Sequence, residues 1–200
     1  MIGGLVLAAG RSRRFGGEKL LTPLADGTPV AVATTRLLVA ALPQVVAVVR
    51  PASDVLATAL RACGAQVVVC PDADEGMGTS LACGVRATPH WQGWLVALAD
   101  MPCVAPTTVR ALIAAIAGGA ALAAPYYHGR RGHPVCFGER YRAALATLSG
   151  AHGARDLVAA AGDDLVALNC DDPGVLIDID TPDDFARIAA GTPPPAPDSN

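Results

Sequence analysis

Residues Leu5–Lys19, LVLAAGRSRRFGGEK, set an apolar run directly against three glycines, three arginines and a lysine. An apolar run without alternation suits a strand buried on both faces, as in a parallel sheet. Ligands of such sheets lie beyond the C-terminal ends of the strands, where the loop after Ala9 begins. Gly10 lets the backbone turn and approach a ligand closely. Backbone N–H groups in such loops cradle phosphate oxygens, and Arg11, Arg13, Arg14 and Lys19 add cations. A solvated basic turn would explain scattered cations equally well. Their position, directly after the first buried strand, points instead to a strongly anionic ligand. The Walker and dinucleotide glycine patterns are both absent.

The same rhythm extends outward. Strands are expected at Leu5–Ala9, Val45–Val49, Gln66–Val69, Trp94–Ala99 and Leu122–Pro125. Helices are expected at Pro29–Leu42, capped by Thr28; from a Ser53 cap through about Cys63, stopped by Gly64; Met77–Ala87; and Pro106–Ala117. This βαβα order predicts an α/β domain with helices on both faces of the sheet. After Pro125 the order changes. YYHGRRGHPVCF reads as a hairpin turning at Gly129–Gly132. Helices at Glu139–Leu148 and Ala154–Ala161, strands at Leu165–Leu168 and Leu176–Asp178, and a helix from Pro182 capped by Thr181 complete the reading. The Pro-rich tail, residues 192–200, is expected to be disordered.

The chain has 200 residues, 52% of them hydrophobic and 16% charged, which suits one domain with a large core. A net charge of −3 argues against a general nucleic-acid binder, so any phosphate site must be local. The six cysteines show no C-x-x-C or zinc spacing. They read as reduced thiols in apolar surroundings, hence a cytoplasmic protein. No signal peptide or membrane span is expected.

Three further segments carry candidate chemistry. In EGMGTSLACG, Glu75–Gly84, Gly78 frees the backbone, and Thr79 or Ser80 can cap a helix. LVALADMP ends a strand at Asp100, on the rim where a ligand would lie; a lone Asp there also suits a turn. VLIDIDTPDDF places Asp178 and Asp180 on one face of an expected strand, while Thr181, Pro182, Asp183 and Asp184 suit a helix start. Taken together, Asp100 and a later aspartate suit Mg²⁺, which is held by one or two carboxylates plus phosphates and water.

The string Leu7-Ala8-Ala9-Gly10-x-Ser12-x-Arg14-x-Gly16-x-x-Lys19 resembles the signature of the molybdenum cofactor cytidylyltransferase-like (MocA/MobA-related) nucleotidyltransferases. The resemblance implies a three-layer α/β/α, Rossmann-like (GT-A-like) fold with a mostly parallel mixed sheet. One domain would span residues 1–191, with roughly 126–180 on the acceptor side. Leu7, Ala8, Ala9, Gly10, Arg11 and Ser12 would surround the triphosphate, with Gly78 and Ser80 near the base or ribose. Arg14, Lys19 and Asp100 would be the catalytic residues. Asp100 and Asp180 would hold Mg²⁺, Asp178 being the alternative. Gly132, His133, Pro134 and Arg155 would line the acceptor pocket. Ala151 stands where similar enzymes often carry an Asp, a departure expected to bear on the acceptor.

The implied reaction transfers CMP from CTP to the terminal phosphate of a molybdopterin-type cofactor and releases pyrophosphate. The form Ala8-Ala9-Gly10 favours CTP over GTP. The implied partners are CTP, a phosphorylated pterin and a molybdoenzyme receiving the product, with no nucleic acid and no membrane. Two alternatives stand beside this: a guanylyl- or sugar-phosphate nucleotidyltransferase of the same fold, and a non-catalytic protein that holds a nucleotide or cofactor for a partner enzyme.

Overall fold

The computed structural model describes residues 1–11 and 15–189. Ser12, Arg13 and Arg14 lie outside the described residues, as does the tail expected to be disordered. Strand β1 (Ile2–Leu7) lies in the middle of the sheet, parallel to β2 (Val45–Val49) and to β4 (Gly93–Leu98). Beyond β2 lies β3 (Gln66–Val69). Beyond β4 lies the antiparallel β7 (Val135–Gly138), then β5 (Leu122–Tyr127) with β6 (Arg130–Arg131). β8 (Leu165–Asn169) pairs parallel to β5. The sheet is therefore mixed and mostly parallel, as expected.

Both faces are covered, which explains the unbroken apolar runs. Val6, Ala47 and Leu95 face a core formed with α1 (Val30–Val39), α2 (Asp54–Ala62) and α4 (Pro106–Ala117). Their neighbours Leu5, Val46 and Val96 face the opposite core, formed with α3 (Met77–Arg86), α5 (Arg142–Ala146) and α6 (Arg155–Ala159). α3 lies close on the sheet because Gly84 has no side chain. A Cβ there would stand 2.5 Å from Leu5 Cδ1 and 2.8 Å from Val48 Cγ2. A final helix, α7 (Pro182–Ala189), follows the last core segment.

Several expectations need correction. β1 begins at Ile2 and ends at Leu7, although Ala8 N–H still donates to Val48 O at 2.9 Å. β3 is half exposed because it is the sheet edge and lacks a second neighbour. Thr28 does not cap α1: its N–H is taken by Asp26 Oδ1, and Pro29 holds the N-cap position. The hairpin turns earlier than expected, at His128 and Gly129, both with positive φ as two-residue hairpin turns require. The segment Glu139–Leu148 opens as a 3-10 turn and becomes helical only at Arg142.

The expected strand at Leu176–Asp178 does not form. A 3-10 turn runs through Pro173–Leu176, and residues 177–180 are extended without a ladder. Asp172 sets this path. Its Oδ1 accepts from Gly174 N–H at 2.9 Å, and its Oδ2 from Ala105 N–H at 2.8 Å and Thr108 Oγ1 at 2.7 Å. One buried carboxylate thus satisfies the start of α4 and ties the C-terminal segment to it. Asp172→Ala removes all three acceptors and should cost about 3 kcal/mol in urea unfolding, whereas Thr108→Val should cost about 1 kcal/mol.

Candidate functional site

The chain leaves the sheet at Ala8 and Ala9, and Gly10 and Arg11 reach the rim. Phe15 packs edge-on against Phe185 of α7, with ring centroids 6.4 Å apart. A 3-10 turn, Lys19–Leu21, follows. Leu20 is buried beneath it, and the Lys19 side chain, only 8% exposed, turns into the site. Arg11 forms an exposed ion pair with Asp74, linking the loop to the approach to α3.

Lys19 is the meeting point. Its Nζ donates to Asp100 Oδ2 at 2.7 Å and to Asp180 Oδ1 at 3.2 Å. Asp100 arrives from β4, whose end is held to β1 by Ala99 N–H donating to Leu7 O at 3.1 Å. Asp180 arrives from the far end of the chain. Ile179, wholly buried, donates its N–H to Asp100 O at 3.0 Å. Next to it, Asp184 Oδ2 accepts from Thr181 N–H at 2.8 Å while Thr181 Oγ1 accepts from Asp184 N–H at 3.2 Å. This reciprocal pair closes the start of α7 and holds Asp180 in place. Burial works against the charge on Lys19, but Asp100 and then Asp180 outweigh it and raise its pKa above the ordinary value. Burial, followed by the Asp180 and Asp100 charges, raises Asp178 above the usual carboxylate range.

Asp100 Oδ1 is buried with no hydrogen-bond partner among the described residues. Among those residues no group of three or more His, Cys, Asp or Glu side chains is arranged to hold a metal. Asp100 and Asp180, with Asp178 nearby, would by themselves give a cation only a few hard oxygens, the rest of its ligands coming from phosphate and water. That is the habit of Mg²⁺, and the donor set fits it.

Around this cluster lies a cavity of about 440 Å³, within the range of small-molecule sites. Leu7, Ala9, Gly10, Arg11, Lys19, Ser80 and Asp100 line it. Ala8 lines a neighbouring recess of about 30 Å³ instead. Gly78 does not line the cavity. Its N–H donates to Gly150 O at 2.8 Å, and a Cβ there would meet Ser149 O at 2.5 Å. Gly76, at φ +132°, is similarly tight against Gly150. These glycines bring α3 and the 149–151 turn into contact. The Ser80 hydroxyl donates to Gly76 O at 3.3 Å, leaving its lone pairs for a ligand. Ser12 and Arg14 lie outside the described residues.

Sequence reasoning missed Asp74, Met77 and Leu98 in this lining, and singled out Ala151 without placing it there. Met77 and Leu98 look like core residues in any pattern analysis, and Ala151 arrives through a contact between distant segments. Ala151 lines this larger cavity.

A second cavity, of about 210 Å³, adjoins the first across Leu7, Met77 and Leu98, which line both. His133 and Arg155 line it, together with Arg131 and His152. Gly132 stands behind, where a Cβ would meet Val175 O at 2.4 Å. Pro134 follows a cis peptide bond and lines a small recess with His133. His133 N–H donates to Val175 O at 2.9 Å, while its Nδ1 is buried without a partner among the described residues. Burial and then the Arg131 charge lower the His133 pKa to about 4, against a smaller opposing pull from Asp100.

Two tests follow from this geometry. Lys19→Met leaves Asp100 and Asp180 without their cation and should cost about 2–3 kcal/mol at pH 7 in urea unfolding. His133 stays neutral when folded but protonates near pH 6.5 when unfolded. Its stabilising effect is complete above pH 6.5 and lost as pH falls toward about 4. His133→Gln should remove that component, about 3 kcal/mol at most, from the acid limb of the stability curve.

Residues 4–174 match the MobA-like NTP transferase domain. The chain is 32% identical over 193 residues to nicotine blue oxidoreductase of Paenarthrobacter nicotinovorans, covering 92% of this chain and 95% of that protein. Among solved structures it is similar to Rv0371c of Mycobacterium tuberculosis H37Rv in complex with manganese, with a TM-score of 0.76 and 31% identity over 96% of this chain and 99% of that one. It is also similar to a nucleotidyl transferase from Methanothermobacter thermautotroptrophicus, with a TM-score of 0.79 and 25% identity over 96% and 97% of the two chains. The family match takes in most of β1, the basic loop, Asp100 and both cavity walls, and ends before the segment that carries Asp178 and Asp180. The chain belongs to the MobA-like NTP transferase family and is a nucleotidyltransferase.

Proposed function

We propose that this nucleotidyltransferase takes CTP and joins CMP to the terminal phosphate of a pterin-type cofactor. An acceptor phosphate oxygen attacks the α-phosphorus, the bond to the bridging oxygen of the β-phosphate breaks, and pyrophosphate leaves. The observation that carries this reading is Lys19 Nζ lying 2.7 Å from Asp100 and 3.2 Å from Asp180 at the mouth of β1 and β4. A loop cation and two remote acids share one point, as an anionic chain with its counter-ion requires.

Lys19, kept protonated by its carboxylates, stabilises charge on the departing pyrophosphate. Gly10 and the backbone around it orient the triphosphate, and Arg14 adds charge from the loop. A phosphate nucleophile is already ionised near neutral pH, so no general base is needed. Catalysis then rests on positioning and charge neutralisation. Asp100 and Asp180, with Asp178 as a neighbour, would hold Mg²⁺ or Mn²⁺. Such an ion supplies charge neutralisation on the phosphates, and the manganese complex of the similar mycobacterial structure supports it.

CTP is favoured by the Ala8-Ala9-Gly10 form, with Ala9 lining the larger cavity. A molybdoenzyme is the proposed recipient of the product. A cytoplasmic location accords with six free thiols and with the lack, among the described residues, of any helix long and apolar enough to cross a membrane.

Pyrophosphate release, measured across CTP, GTP, UTP and ATP with Mg²⁺ and with or without molybdopterin, tests the reading. Release should require CTP and the pterin. Asp100→Asn should lower kcat by roughly a hundredfold or more, with the fold kept by circular dichroism and a lowered melting temperature, because Lys19 loses its 2.7 Å partner. Wild-type turnover in that variant, or release with GTP alone, overturns the assignment.

A further inference from the structure

The smaller cavity is lined by His133 and Arg155, expected on the acceptor side, and by Arg131, to which no role has been given. Its volume of about 210 Å³ lies below the roughly 300 Å³ at which pockets begin to enclose whole drug-sized ligands. It therefore suits one ring system rather than a nucleotide. Leu81, Val96 and Phe137 give it an apolar base. No acidic residue lines it, yet two guanidinium side chains do, those of Arg131 and Arg155. Neither has an ion-pair partner among the described residues. His133 lines it as well as the small recess beside Pro134, and its Nδ1 is buried and unpartnered among those residues. Unpaired cations over an apolar base, beside an unsatisfied ring nitrogen, specify a ligand that is flat, apolar on its faces and anionic at an edge. Met77 stands at the junction with the larger cavity, 42% exposed despite its apolar side chain.

We infer that the smaller cavity is the subsite for the acceptor's ring and selects a ring carrying an anionic substituent. Arg131 and Arg155 meet the charge, His133 Nδ1 makes one hydrogen bond to a ring heteroatom, and Met77 covers the passage toward Lys19. This rests on the pterin-transfer reading and adds to it what the ring must carry.

Fluorescence titration of the full chain with pterin-6-carboxylate and with neutral 6-hydroxymethylpterin tests it directly. The carboxylate should bind at least about tenfold more tightly, a difference of about 1.4 kcal/mol. Arg131→Met and Arg155→Met should each remove most of that difference while CTP affinity by calorimetry is unchanged. Arg131→Lys and Arg155→Lys should restore part of it, which a merely structural role would not predict. Equal binding of the two pterins, no binding of either at about 1 mM, or Met variants that match wild type would overturn the subsite. Discrimination between the pterins without any CMP transfer by the wild type would uphold the subsite and sink the transfer reading alone.

Discussion

One ammonium group between two carboxylates organises this molecule's functional end. Lys19 reaches Asp100 from the first loop and Asp180 from the last segment, so three distant parts of the chain meet at one charge. Each partner alone would be costly to bury, and together they compensate. The backbone reinforces the same junction, because Ile179 N–H donates to Asp100 O. Cation and anions are thereby held close before any ligand arrives, and such preorganisation is what phosphoryl-transfer sites require.

The sheet explains why that junction lies where it does. β1 and β4 are parallel neighbours, so their C-terminal ends release the basic loop and Asp100 side by side. β7 runs the opposite way beside β4, which brings its leading residues, His133 and Pro134, to the same edge. A strand order that looks irregular in sequence thus delivers two cavities with a shared apolar wall. Asp172 and the Thr181–Asp184 pair steer the C-terminal segment across this edge and fix the approach of Asp180.

The electrostatics divide the two cavities. The larger holds Lys19 and Asp100, a compensated pair that an incoming triphosphate and cation can share. The smaller holds Arg131 and Arg155 over an apolar base, with His133 kept neutral by burial. Met77 and Leu98 belong to both. The two cavities thus share an apolar wall but differ in charge.

Much of this was legible in the residues themselves. The apolar run before Gly10, the Asp at the end of LVALADMP and the Thr181–Asp184 helix start announce themselves through local rules of strand burial, glycine turns and capping. The order of strands and helices follows from periodicity, because each segment's burial is written in its own spacing. Which acid would meet which cation was not written there, nor that Gly78 would pack against the turn at Gly150. The same holds for Ala151, which faces the larger cavity, and for the segment after Leu176, which runs on as an unladdered strap. These depend on contacts between residues far apart in the chain, and no local pattern encodes them. Composition and spacing alone determined most strands and helices and the basic character of the first loop; only the packed tertiary structure decided what that loop touches, because burial of a charge is settled by the partner that neutralises it.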